Sequence, residues 1–234
     1  MMHKRVSLLI LLLFIGLASA CAFRTGYQKR GVSYVYITLD EGQGYVEHPI
    51  MNMDAPSFEI LNRGYAKDVL HVYYHEMTVE GADPGSFVAL SELHGKDQAQ
   101  VYYAGQAIPG ADPASFTLID LQWGKDAQDV YFQNRPLEAC DPATFVFLAE
   151  DWQRDDQCAY RQGKKLPDAD GASFVVLNYW FGKDNHHAYS HLGTIIDGAD
   201  VTTFKLRQGI CVVCAEDKNR CYRYEEPVAC ESLK

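Results

Sequence analysis

Gly95-Lys96-Asp97-Gln98-Ala99-Gln100-Val101-Tyr102-Tyr103 is a polar turn running into a β-branched and aromatic arm, the composition of a hairpin with a half-buried second strand. The same phrase returns along the chain. Asp68, Asp97, Asp126, Asp155, Asp184 and Asp217 each have a Tyr five residues on, at Tyr73, Tyr102, Tyr131, Tyr160, Tyr189 and Tyr222. A Phe column (Phe58, Phe87, Phe116, Phe145, Phe174, Phe204) has spacings of 29, 29, 29, 29 and 30. Four residues before each Phe stands another Asp (Asp54, Asp83, Asp112, Asp141, Asp170, Asp200), and four before that an aliphatic residue, from Ile50 to Ile196. Asp40 and Tyr45 show the five-residue offset once more, ahead of the array. Five columns in register establish a tandem repeat.

The columns also indicate the core. Tyr65, His94, Trp123, Trp152 and Phe181, with Cys214 ending the series, occupy one position in successive units, where stacked aromatics form a ladder. Val72, Val101, Val130, Ala159, Ala188 and Cys221 precede the repeat Tyr, so strand alternation puts these small side chains on the face opposite it. Asp-Pro-Xaa-Ser/Thr-Phe, as at Asp83, Asp112 and Asp141, sets a side-chain acceptor before a Pro, which predicts one helical or 3₁₀ turn feeding a third strand such as Phe145–Leu148. No window sustains a long 3.6-residue pattern. The expected fold is all-β: tandem units of about 29 residues, each a hairpin plus a short turn, stacked as a linear or coiled array. Closure into a ring is the second choice, because a four-stranded propeller blade takes about 40–45 residues.

The first twenty residues read as an address. A basic start, Lys4-Arg5, precedes an apolar run from Val6 to Leu17 and then Ala18-Ser19-Ala20, the pattern of a secretory leader too short to span a bilayer. Small residues ending at Cys21 resemble the lipobox of bacterial lipoproteins, with Leu17 standing four residues before the Cys rather than three. The resemblance implies lipid attachment at Cys21. Ala22, in place of the Asp that signals inner-membrane retention, implies an outer-membrane lipoprotein facing the periplasm. Simple cleavage, giving a soluble periplasmic or secreted protein, is the alternative. Of the seven Cys, removing Cys21 leaves an even set, Cys140, Cys158, Cys211, Cys214, Cys221 and Cys230, expected as disulfides in an oxidising compartment. Cys140 and Cys158 flank one unit's turn and hairpin and are the expected third pair; the pairing of the other four stays open. The expected organisation is a leader over 1–20, a linker or anchor over 21–33, a half repeat over 34–49, six repeats in one domain over 50–227 and a tail over 228–234.

The Asp-Lys turn and Tyr-Tyr strand, seen as Glu216-Asp217-Lys218-Asn219-Arg220-Cys221-Tyr222 and as Lys96–Tyr103, with the Gly81-Ala82-Asp83 and Phe87 segments, resemble the bacterial DKNYY family. The resemblance runs from about Asp40 to Tyr224. The Asn is lost from most turns, and the second Tyr becomes Arg161, Ser190 and Arg223 late in the array. It implies a repeat fold and brings no activity with it.

A net charge of −10, or −12 once Lys4 and Arg5 leave with the leader, argues against a nucleic-acid partner. The turn Asp residues suit Asx turns better than a calcium ladder, since each unit offers few carboxylates, mostly beside Lys or Arg. Cys211-Val212-Val213-Cys214 has zinc or thiol-exchange spacing, but no βαβ pattern accompanies it. His71, His75, His186, His187 and His191 lack a Glu-bearing ligand motif and read as surface side chains. No nucleophile elbow or P-loop is present. The expectation is therefore a non-catalytic envelope protein, with neither cofactor nor metal, that binds or scaffolds an envelope protein partner. An immunity or inhibitor protein presenting its acidic face to a secreted toxin or protease is the alternative, and an envelope enzyme with an unrecognised site a third. Tyr179, Trp180, His186, His187 and Arg207, which vary outside the columns, are the candidate partner-binding residues.

Overall fold

The computed structural model describes residues 25–149, 151–209 and 211–233. The leader, Cys21 and the proposed lipid site lie outside the described residues. The chain forms two compact units, one ending at Ala107 and one beginning at Ile108.

The first unit opens with a meander of β1 (Gly26–Arg30), β2 (Ser33–Asp40) and β3 (Gly44–Pro49). β1 falls in the stretch expected as linker; it pairs with β2 from Gly26↔Ile37 to Arg30↔Ser33, because Tyr27 has a buried face to reach. Asp40 makes the anticipated turn, accepting from the Gly42 and Gln43 amides, but Tyr45 stays half-exposed.

The first repeat is one antiparallel sheet of β4 (Glu59–Ile60), β5 (Tyr65–Lys67), β6 (Val72–Tyr74) and β7 (Met77–Thr78), in chain order. Four-stranded sheets of the same kind recur over 88–107, 117–136, 146–165 and 205–228, and the fifth repeat keeps three strands over 175–190 plus a Tyr189–Ile195 bridge. No strand pairs across these sheets, so the described residues contain no closed barrel. The last short strand of each sheet follows a tight turn, as at Ala104 and Gly105, both left-handed. That turn type matches the twist of flanking strands. Most Asp-Pro segments form simple turns, and a 3₁₀ turn forms at Gly171–Ser173.

Within each unit the core lies at the junctions between its successive repeats, as the columns require. Tyr73 packs with Ile50, Phe58 and Ala66 of its own repeat, while its neighbour Val72 packs with Tyr65, Val79, Phe87 and Tyr102. Alternate residues of one strand therefore build different junctions, and both faces of each hairpin are buried. Phe and Tyr rings of one repeat lie 5.6–6.0 Å apart. The ladder aromatic meets the following Phe in Tyr65–Phe87, Trp123–Phe145, Trp152–Phe174 and Phe181–Phe204, at 5.3–6.0 Å. Behind three of the Phe the chain is bare: a Cβ on Gly95, Gly124 or Gly182 would stand 2.2–2.5 Å from the Phe Cζ of its repeat. The expected tail is a cap instead. Cys230–Leu233 is a 3₁₀ turn, and Leu233 is buried against Cys214 and Cys221, where earlier junctions hold aromatics and aliphatics.

Candidate functional site

Each turn Asp is saturated. Its Oδ1 accepts the backbone amides two and three residues on, at 2.6–2.8 Å in all six repeats. Its Oδ2 accepts the repeat Tyr hydroxyl at 2.5–3.0 Å. It also accepts the amide of the other Asp column at 2.7–3.0 Å. Four donors occupy the lone pairs of each carboxylate, so the turn reading accounts for this column in full. The other Asp column caps its own turn, as when Asp83 accepts from the Gly85 amide and the Ser86 hydroxyl. Burial by itself would raise the carboxyls of Asp68, Asp97, Asp155, Asp184 and Asp217, but these hydrogen bonds outweigh it and hold them below the usual range. Burial and the Asp partner push Tyr222 up to about 12, and the other five column Tyr higher still.

At the opposite end of the hairpins the chemistry varies. Tyr179 and Trp180 sit there in the fifth repeat and join His191 and Tyr224 in an aromatic cluster. Ring centroids stand 4.6 Å apart for Trp180–His191, 5.0 Å for Trp180–Tyr224 and 5.0 Å for Tyr179–Trp180. Arg161 is buried beneath it, its guanidinium 4.7 Å from the Trp152 ring and 4.6 Å from the Tyr179 ring, in range for cation–π attraction. It also donates to the carbonyls of His191 and Tyr179. Arg161 and Tyr224 were not among the anticipated site residues; the loss of the second Tyr at Arg161 was the available signal.

The other anticipated residues lie elsewhere. His186 and His187 belong to the Asp184 turn, at the far end of the hairpin from Trp180, where their amides bind Asp184. Arg207 pairs with Glu216 at 3.0 Å and donates to the Cys230 carbonyl, so it fastens the last repeat. Two of the histidines expected on the surface are packed instead: His75 stacks between Tyr36 and Tyr74, and His191 is enclosed by rings. Their flat faces fit aromatic neighbours as well as water.

All six body cysteines pair: Cys140–Cys158, Cys211–Cys214 and Cys221–Cys230. The CxxC segment closes on itself across an enlarged loop of the last repeat, and Cys221–Cys230 holds the terminal cap. Such bonds fit an extracellular or envelope setting. No helix among the described residues is long and apolar enough to cross a membrane.

Comparison with curated proteins and with solved structures finds no match. The repeat columns, the saturated Asp turns and the Tyr-bearing strands are nonetheless those of a known family, whose pattern matches residues 94–226. On that match, which covers more than half of the sequence, the chain belongs to the DKNYY family.

Proposed function

We propose that this is an exported, lipid-anchored cell-envelope protein that binds or scaffolds a protein partner without catalysis. The observation that carries the reading is the division of labour within each hairpin. The residues present in every repeat are consumed by internal hydrogen bonds, and the Tyr179–Trp180–His191–Tyr224 cluster is left partly exposed on a braced support. Aromatic side chains that combine a large apolar body with a polar tip suit the centre of an interface. Arg161, fixed between two rings, holds Tyr179 in place before a partner arrives and so reduces the ordering cost of binding.

The test is cross-linking in intact envelopes followed by affinity capture, comparing the natural chain with a Trp180→Ala/Tyr224→Ala variant. A partner recovered with the natural chain and lost from the variant is the expected result. Equal recovery from both overturns the assignment of the cluster. The anchor has its own test: Cys21→Ser is expected to move the protein from the membrane to the soluble fraction, and retention in the membrane overturns lipidation.

A further inference from the structure

We propose that the cleft between the third and fourth repeats is a binding site for a neutral oligosaccharide. The cleft measures about 720 Å³, within the range of small-ligand pockets. Its lining includes Trp123 and Trp152, both buried, and Phe147, which is 40% exposed and presents the accessible ring. Its rim carries Gln122, Asp151 and Gln162. Their side chains have no hydrogen-bond partner among the described residues.

The fourth repeat departs from the regular repeats at two positions beside this cleft. The position after the ladder aromatic is Ala66, Gly95, Gly124, Gly182 and Ala215 in the other repeats, and is Gln153 here. The Gln153 amide reaches the Asp151 carbonyl at the rim. The polar residue that caps the variable end elsewhere (Asn62, Ser91, Asp120, Asn178) is replaced by Ala149, and the chain compensates with a left-handed Asp151, φ 61°. Trp152 is fully buried in one wall, and its Nε1–H finds no acceptor among the described residues. A buried donor without a partner is costly, and a water enclosed beneath the cleft floor would relieve it.

The donor and acceptor set selects the ligand. Amides both donate and accept, carboxylates accept from hydroxyls, and the exposed Phe147 ring can cover the apolar C–H face of a sugar ring. Asp120 and Asp151 line the cleft with no Lys or Arg, which disfavours an anionic ligand. A purely apolar ligand would strand the rim amides without partners. A polyhydroxylated, uncharged chain matches the rim amides, the two carboxylates and the Phe147 ring.

This inference does not rest on the protein partner proposed above, and the two separate experimentally. Calorimetry and Trp fluorescence on the full mature chain would use cellotetraose, maltotetraose and chitotetraose, with tetragalacturonate and spermidine as charged probes. Saturable binding of at least one neutral probe is expected. It should weaken about tenfold or more, the effect of losing a hydrogen bond and a stacking face, in Gln122→Ala/Phe147→Ala, and be unchanged by calorimetry in Trp180→Ala. Gln153→Gly, which installs the residue of the regular repeats, is expected to weaken binding too and carries the test should the double variant misfold. No saturation by any neutral probe up to about 10 mM, unchanged affinity in the variants, or preference for a charged probe overturns the proposal.

Discussion

The two ends of each hairpin follow opposite rules. At the Asp turn, six repeats place the same carboxylate, the same hydroxyl and the same amides within a few tenths of an ångström of one arrangement. At the other end, the capping residue changes from Asn62 to Ser91, Asp120, Ala149 and Asn178. The last repeat replaces that cap with a longer loop closed by Cys211–Cys214. Uniformity at one end makes variation at the other affordable, because stacking and closure no longer depend on what the variable end carries. Both the aromatic cluster and the oligosaccharide cleft occupy variable ends.

Changing the pH attacks every latch at once and has the largest expected effect. The carboxyls of Asp68, Asp97, Asp155, Asp184 and Asp217 titrate lower in the fold than in the unfolded chain. Their contribution is complete above the unfolded value near ~3.9 and is lost as pH falls through it towards the folded values. The column Tyr are shifted the other way. Their contribution is complete below the unfolded value near ~10 and disappears as pH rises beyond it. Thermal melts followed by circular dichroism should give a plateau between, with loss of stability on both sides; stability that keeps rising below pH ~4 would show that the latches do not hold the fold.

A single latch comes next. Asp155→Ala strips four donors of their acceptor in a fully buried site, and is expected to cost about 3 kcal/mol or more in urea unfolding. Removing the cap link with Cys221→Ala/Cys230→Ala frees a loop of sequence separation 9 and should cost about 2 kcal/mol. At the variable end the effect should nearly vanish: Gln122→Ala is expected to change stability by less than about 0.5 kcal/mol. A larger loss there than for Asp155→Ala would erase the distinction between the two ends.

The strand-turn-strand unit could be read from residue order because its determinants are local and repeated. Asp97 and Tyr102 announce themselves by recurring five residues apart, whereas the need for a bare Gly95 behind Phe87 shows only in the packing. The second hairpin could not, because its strand is only Gln106–Ala107 and its turn begins at a left-handed Ala104 rather than at Asn-Gly. The site was half readable. Tyr179 and Trp180 stand out as departures from the columns, whereas Arg161 looks like a decayed Tyr until the stacked geometry puts it between Trp152 and Tyr179, 18 residues from the latter. His186 and His187 misled because proximity in sequence to Trp180 is undone by a hairpin that carries them to its far end.

Every partner of a turn Asp lies within 17 residues of it. Closing a latch therefore encloses only a short loop, with little chain entropy lost at each step, and contacts this local favour rapid folding. A chain that emerges N-terminus first, from a ribosome or across a membrane, can finish one repeat before the next appears, each completed face serving as the template for its successor. Folding then has a direction, like a zip fastener, and the Cys221–Cys230 bond locks the sixth repeat once it has closed.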